Sequence, residues 1–432
     1  MADGRLFGNS IARKLNTPQT APVNSANDRT AQVWVSHREQ LLGVVGPFPL
    51  ERPRWHDVAP VNEHLAEVLG VPTVVLRLVD VAGGGSGRGG LVTYHAEALA
   101  LPAVELAAPA EADPAGLRPH PLRAGYATAD GVRAALEWAE QALAAAGRPV
   151  TGPVAQMKTW NLAGLFRLPT AEGPVWLKTG RDFAVDESLV VQLLGGVDPQ
   201  FVPTVLAADP QRRLLLMDHV PGEDCWGPSR EVVAATLPRL ARAQAALAAS
   251  YPGGAPDGLA DRSPATLVPA VKLLLDGEAG AELTAEELDR ARALVERLPE
   301  LVEQLAACGL PLTVVHGDFH PGNWRSAGRQ SVLVDFADAY WGHPAFDGLR
   351  PADFLNQERW AEAAELWCEA WRTLAPGSDP AGALRLAAPL SHLAYAVRYQ
   401  EFLDAIEPSE RRYHEGDPAA ELRAALSAAA AL

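Results

Sequence analysis

Val314-Val315-His316-Gly317-Asp318-Phe319-His320-Pro321-Gly322-Asn323 runs as an apolar strand into a polar loop, and Val332-Leu333-Val334-Asp335-Phe336 follows as a second apolar strand ending in another acid. Short β-branched runs of this kind read as buried strands, and the Gly and Pro between them mark the loop. Transfer of a phosphoryl group to a hydroxyl requires an acceptor for the hydroxyl proton and oxygen ligands that hold Mg²⁺ on the nucleotide phosphates. Asp318, Asn323 and Asp335 supply those three groups. Any one of them alone would be an ordinary turn or strand-end residue. Placed together on strand, loop and strand, they point to one site.

The spacing narrows the chemistry. Asp, four residues, then Asn is the catalytic-loop arrangement of kinases, with the metal-holding Asp arriving on the next hairpin. His316-Gly317-Asp318-x-x-x-x-Asn323 with Asp335-Phe336-x-Asp338 resembles the signature of the aminoglycoside phosphotransferase superfamily, which also contains choline, fructosamine, maltose and glucosamine kinases. The resemblance implies Asp318 as catalytic base, Asn323 and Asp335 as Mg²⁺ ligands, and ATP as phosphoryl donor. It also implies an α+β, protein-kinase-like bilobal fold with a small mixed N-lobe and a mostly helical C-lobe. His316 and His320 are expected to orient the loop rather than carry protons.

A kinase also needs a cation on the nucleotide phosphates, usually a Lys on the third strand of the small lobe paired with a helical Glu. Lys178, at the end of Val175-Trp176-Leu177-Lys178, fits, and it is one of only four lysines in the chain, the others being Lys14, Lys158 and Lys272. Glu187 opens the next helix and is the candidate partner; Asp186 is the alternative, and either acid could instead serve the helix dipole. The small lobe lacks G-x-G-x-x-G and offers Trp160-Asn161-Leu162-Ala163-Gly164 at its first turn. Leu214-Leu215-Leu216-Met217-Asp218-His219-Val220 is the expected interlobe hinge, so Met217, His219 and Val220 join Lys178 and Glu187 as nucleotide-binding residues. Downstream, Asp347 of Gly342-His343-Pro344-Ala345-Phe346-Asp347 and Asp338 read as organisers of the loop.

The 432 residues exceed what one hydrophobic core usually supports. Residues 1–31 are polar and aperiodic and read as a flexible arm. Residues 32–148 hold strand-like runs at 33–35, 41–45, 73–81 and 91–98 and a short helix at 61–69, then a Pro- and Ala-rich linker at 107–127 and an amphipathic helix bearing Val132, Leu136, Ala139 and Leu143. They form an expected N-terminal α+β cap domain with its linker helix. The run Gly83-Gly84-Gly85-Ser86-Gly87-Arg88-Gly89-Gly90 leads into a strand and not a helix, so it reads as a loop between antiparallel strands rather than a phosphate cradle. Residues 149–221 are the expected kinase N-lobe and 222–432 the C-lobe with the substrate site. Thr284 and Glu287 make a capping box at one helix start, with Gly309 past its end.

A net charge of −16 argues against a surface that tracks nucleic-acid phosphates and suits a cationic or neutral ligand. Cys225, Cys308 and Cys368 form no C-x-x-C pair and are expected as buried thiols without disulfides or zinc. No apolar run reaches bilayer length, and a cytoplasmic protein is expected. The extra N-terminal cap is similar to that of maltose kinases and actinobacterial glucosamine kinases. Gln156-Met157-Lys158-Thr159-Trp160-Asn161 and the stretch from Arg398 to Pro408 are similar to the glucosamine kinase group. The resemblance implies an amino-sugar acceptor, with Tyr399, Glu401, Asp404 and Glu407 as candidate substrate residues. An aminoglycoside O-phosphotransferase, a maltose kinase and a pseudokinase used as a binding module are the alternatives. Oligomeric state is not legible in the chain.

Overall fold

A computed structural model describes residues 28–38, 40–108 and 118–432; the expected arm, apart from its last residues, and the middle of the linker lie outside them. The cap begins earlier than the sequence pattern suggests. β1 (Arg29–His37), β2 (Gln40–Leu50), β3 (Thr73–Ala82) and β4 (Gly90–Ala98) form one sheet in the order β2-β1-β4-β3, with β1 and β4 parallel and the other pairs antiparallel. Helix α1 (Ala59–Leu69) lays Val61, Leu65 and Leu69 on one face, against Val33, Val35, Val75 and Tyr94. The glycine run joins antiparallel β3 and β4, as expected.

The opposite face of β3 does something the cap boundary at 148 does not anticipate. Alternate residues of a strand point to opposite sides, and Val74 and Leu76 enter a second core with Val132, Ala135, Ala139 and Leu143 of helix α2 (Ala129–Ala145). The same core takes in Phe166, Leu168, Val175, Leu177, Leu214 and Leu216 of the small-lobe sheet. That sheet is built from β5 (Ala155–Thr159), β6 (Ala163–Thr170), β7 (Gly173–Gly180), β8 (Val205–Asp209) and β9 (Leu214–Asp218), in the order β5-β6-β7-β9-β8 with every pair antiparallel. The linker helix therefore backs the small lobe, and cap and small lobe share apolar packing. Helix α3 (Glu187–Val197) starts after the N-cap Asp186, whose carboxylate accepts the N–H of Ser188.

Past the hinge come β10 (Glu223–Asp224) and the long helices α4 (Arg230–Ser250), α5 (Leu267–Asp276), the one-turn α6 (Glu278–Ala281) and α7 (Ala285–Ala307). The capping box at Thr284 and Glu287 forms in both directions. The catalytic stretch then supplies β11 (Thr313–Val315), β12 (Trp324–Ser326), β13 (Ser331–Leu333) and β14 (Tyr340–Gly342), arranged as two small sheets, β10-β12-β13 and β11-β14. Helices α8 (Ala345–Leu349), α9 (Gln357–Leu374), α10 (Pro380–Ala405) and α11 (Asp417–Ala429) complete the large lobe. Trp324, Trp367 and Trp371 are fully buried there and serve packing, each worth roughly 1.5–3 kcal/mol or more of transfer free energy. Cys308 and Cys368 are buried free thiols as expected, whereas Cys225 is only half-buried. No described helix is long and apolar enough to cross a membrane.

Candidate active site

Two cavities meet at the loop between β11 and β12. One, of about 260 Å³, lies between the lobes and is bordered by Lys178, Glu187, Met217, His219, Val220, Asn323 and Asp335. The other, of about 450 Å³, is bordered by Asp318, Tyr399 and Glu401 of the large lobe and, at one edge, by Leu162 of the small lobe. Every nucleotide and metal residue expected from the sequence thus borders the first cavity, while Asp318 faces the second.

The ion cluster in the first cavity settles which acid faces Lys178. Its Nζ lies 2.7 Å from Glu187 Oε1 and 2.5 Å from Asp335 Oδ1. Asp186 is turned back onto its own helix as N-cap, so Glu187 is the partner. Burial works against the Lys178 charge, but the two carboxylates more than offset it and hold the amine above its usual range. The second oxygen of Glu187 accepts the backbone N–H of Phe336 at 2.9 Å, tying α3 to the residue after Asp335. Asp335 itself takes the left-handed conformation, with φ of 68°, a region that non-glycine residues occupy mainly where surroundings enforce it.

Asp318 is fixed from three sides. Asn323 Nδ2 donates to its carbonyl oxygen at 2.9 Å and to Oδ2 at 3.2 Å. Arg350 Nε and Nη2 both reach Oδ1 at 2.9 Å. His320 Nε2 lies 3.2 Å from Oδ2, while Nδ1 accepts the N–H of Gly322 at 3.0 Å, which places the ring proton on Nε2. Burial pushes the Asp318 carboxyl up, yet His320 and Arg350 outweigh it and keep the group well below the usual carboxylate range. His320 packs against the rings of Trp226 and Phe354, at centroid distances of 5.3 and 4.3 Å, and those two rings lie 6.0 Å from each other. It acts on the loop as an orienting residue.

Behind the loop, Asp347 accepts the N–H groups of His316 at 2.8 Å and Gly317 at 3.1 Å, and the Gln244 amide at 2.8 Å. Burial pushes its carboxyl up to about 7 against the lowering effect of those donors. Gly317 has φ of 84°, and a Cβ there would stand 2.1 Å from the carbonyl oxygen of Asp338. Only glycine can bring the chain through this turn into Asp318.

The acceptor-side candidates divide. Glu401 borders the large-lobe cavity but is already paired, bidentately with Arg262 at 2.8 Å and with Arg398 at 2.9 Å. Arg398 also holds Asp338 through Nε at 2.9 Å and Nη2 at 2.8 Å. Tyr399 borders the same cavity. Asp404 is exposed, accepts from Gln400 and borders neither cavity. Glu407 also borders neither; it is buried in ion pairs with Arg123 at 3.0 Å and Arg77 at 3.7 Å, tying the end of α10 to the linker and to β3. Arg350 carries no motif that marks it in the sequence. Its one local signal is the position three residues after Asp347, on the same short helical stretch. Asp261, which borders the acceptor cavity, and Arg262 come from a loop without any motif.

Asn323 gives its amide N–H groups to Asp318, leaving the amide oxygen, and Asp335 gives Oδ1 to Lys178, leaving Oδ2. Two oxygens on one cavity wall suit Mg²⁺, which ordinarily takes one or two protein oxygens and fills its octahedron with phosphate and water. Among the described residues no group of three His, Cys, Asp or Glu side chains is arranged to hold a metal by itself.

No curated protein sequence matches the chain. Among solved structures, a protein provisionally named fructosamine-3-kinase from Thermobifida fusca is 21% identical, with a TM-score of 0.47, covering 67% of this chain and 98% of its own. A choline/ethanolamine kinase family protein from Mesorhizobium loti is 17% identical, with a TM-score of 0.47, covering 68% and 98%. A macrolide 2′-phosphotransferase from Brachybacterium faecium is 19% identical, with a TM-score of 0.44, covering 66% and 98%. Residues 186–384, which carry α3, the loop between β11 and β12, and Asp335, match the phosphotransferase enzyme family, and the chain has a bilobal α+β, kinase-like fold with additional N-terminal elements.

Proposed function

We propose that this chain transfers the γ-phosphoryl group of ATP to a hydroxyl of a small molecule, and that its acceptor is an amino sugar, glucosamine, at the 6-hydroxyl. One observation carries the reading: Asp318 borders the larger cavity, and its carboxylate accepts at 3.2 Å from Asn323, which borders the interlobe cavity together with Asp335 and the Lys178–Glu187 pair. A nucleotide on one side and an acceptor on the other meet at that carboxylate.

The chemistry follows from the residues. The acceptor oxygen attacks the γ-phosphorus, the bond from that phosphorus to the β–γ bridging oxygen breaks, and the acceptor proton passes to Asp318. Arg350 and His320 keep Asp318 ionised and aimed, so proton transfer completes as charge leaves the acceptor oxygen. Lys178 offers a fixed positive charge to the nucleotide phosphates, and Asn323 and Asp335 would hold Mg²⁺, which when bound neutralises phosphate charge. The presence of base, lysine and both metal-side oxygens in one arrangement argues against a pseudokinase.

The cationic acceptor is supported by the second cavity. Asp261, Asp318, Asp338 and Glu401 border it against Arg262, Arg350 and Arg398, one negative charge in excess. Asp338 and Glu401 are held by arginines, whereas Asp261 is exposed and accepts only the N–H of Ser263 among the described residues. Asp261 is therefore the acid we assign to an ammonium group. A neutral sugar would leave that carboxylate without a charged partner, and acetylation would remove the charge and add bulk. Coupled ADP release with a panel of sugars and aminoglycosides tests this. Glucosamine is expected to exceed glucose and N-acetylglucosamine by at least ~10-fold in kcat/KM, equivalent to about 1.4 kcal/mol. A preference for maltose or an aminoglycoside overturns the acceptor and leaves phosphoryl transfer standing.

A further inference from the structure

The cap reaches the nucleotide cavity. Its segment 52–57, between β2 and α1, borders that cavity with Arg52 and Asp57. The segment is rigidly held from behind. Arg29, only 1% exposed, donates to the carbonyl oxygens of Arg54, of Trp55 at 3.4 Å and of Asp57 at 3.0 Å. Tyr94 donates to the Trp55 carbonyl at 2.6 Å, and Trp55 Nε1 donates to Gly89 at 2.7 Å. The glycine run that cradles no phosphate thus braces this segment.

The same segment touches both lobes. On the small lobe, Val58 N–H donates to Met157 and Thr159 N–H to His56, at 3.2 and 3.1 Å, so the segment covers the open edge of β5. On the large lobe, the Arg54 guanidinium lies 5.0 Å above the ring of Trp226, the residue stacked on His320. The cap therefore closes one side of the cleft from strand to catalytic loop.

Charge gives this wall a task. Four cations border the cavity: Lys178, Arg325, Lys158 and Arg52. Lys178 is committed to two carboxylates, and Arg325 to Asp224 at 2.6 Å and the Val220 carbonyl at 3.2 Å. Arg52 and Lys158 make no ion pair and no side-chain hydrogen bond among the described residues. The turn at 160–164, where many kinases place glycines against the phosphates, has no such motif. Phosphate is the ligand that matches a planar guanidinium and an ammonium converging on a nucleotide cavity.

We propose that the cap is part of the nucleotide site: Arg52 of the cap and Lys158 of β5 grip the phosphate chain of the bound nucleotide and take the place of the missing glycine-rich cover. The proposal rests on the nucleotide reading above and adds which residues select for phosphate. Calorimetry on the full chain with Mg²⁺ separates the two, using adenosine, ADP and the non-hydrolysable triphosphate AMP-PNP. Arg52→Ala and Lys158→Ala should each weaken AMP-PNP roughly tenfold and leave adenosine unchanged, the scale of a charge-assisted contact. Arg52→Lys should recover most of the loss, and Arg290→Ala, at an exposed position of α7, should cause none. Equal weakening of adenosine and AMP-PNP would make the segment a wall without phosphate contacts and overturn the proposal. Unchanged AMP-PNP affinity, or equal loss with Arg290→Ala, would also overturn it. Wild-type protein that binds none of the three probes would overturn the nucleotide reading, and this inference with it.

Discussion

Glu187→Gln is a small change in shape at the centre of the ion cluster. Lys178 and Glu187 are nearly buried, with side chains 9% and 10% exposed, and their charged atoms are 2.7 Å apart. A buried ion stranded by loss of its partner costs about 3–5 kcal/mol, but Lys178 would still hold Asp335 at 2.5 Å. The stability loss should therefore stay near that of one hydrogen bond to a charged group, about 1.5–3 kcal/mol. The glutamine carbonyl can still accept the Phe336 N–H. Lys178→Met is the harsher change: it leaves Glu187 and Asp335 facing each other without a cation, at about 3–5 kcal/mol. In catalysis both substitutions remove the same thing, a lysine aimed at the phosphates. Each should lower kcat/KM for ATP by at least ~10²-fold, and the double variant should be no more than ~10-fold worse than the poorer single one, a coupling of at least about 1.4 kcal/mol. Initial rates at varied ATP measure the cycle, and urea unfolding of the same proteins measures stability. Losses that simply multiply to ~10⁴-fold would show that the two residues act independently and would refute the pairing as the device that positions Lys178.

Asp318→Asn should keep nucleotide affinity, measured by calorimetry, while turnover falls by at least ~10²-fold; near-normal turnover would remove Asp318 from the role of base. Asp335→Ala should lower activity in a way that excess Mg²⁺ only partly restores, and an unaltered Mg²⁺ titration would take Asp335 out of the metal site. Glu410, buried against β3 where it accepts the Leu78 N–H at 2.8 Å, is pushed by burial from 4.5 up to about 8. Between those values the native state keeps a proton that the unfolded chain has lost, so this group's contribution to stability falls as pH rises through that window. Glu410→Gln should flatten the fall in urea midpoint across it, and an identical slope in the variant would contradict the assignment.

The parts of the site legible in sequence are those whose partners are close in the chain. Asp318, Asn323 and Asp335 sit on one strand-loop-strand unit, so type and spacing suffice to bring them to one place. For Lys178 the sequence offers two adjacent acids, and helix geometry distinguishes them: the residue at the N-cap turns to its own backbone, leaving Glu187 to face the strand. Arg350 stands 32 residues from the carboxylate it grips, and no local pattern reports a contact made by the packing of α8 and α10. Glu407 illustrates the opposite error. An acid near the C-terminus of a sugar-kinase-like segment reads as a substrate residue, but Arg123, 284 positions away, and Arg77 had already claimed it. The cap was legible as an α+β unit, and its start was not, because Arg29-Thr30-Ala31-Gln32 lacks the apolar character of a strand although Arg29 is buried. The unbroken apolar run from Val74 to Leu76 carried the signal for a strand covered on both faces, while nothing in α2 says which sheet its apolar face meets.

Phosphorus NMR of MgATP incubated with the purified full chain and glucosamine tests the central claim most directly, since it follows the transferred group itself. The account predicts loss of the γ-phosphate resonance of ATP matched by growth of a sugar phosphomonoester, with both changes abolished by Asp318→Asn. An unchanged ATP spectrum with every sugar in the panel, or release of inorganic phosphate alone, would contradict it.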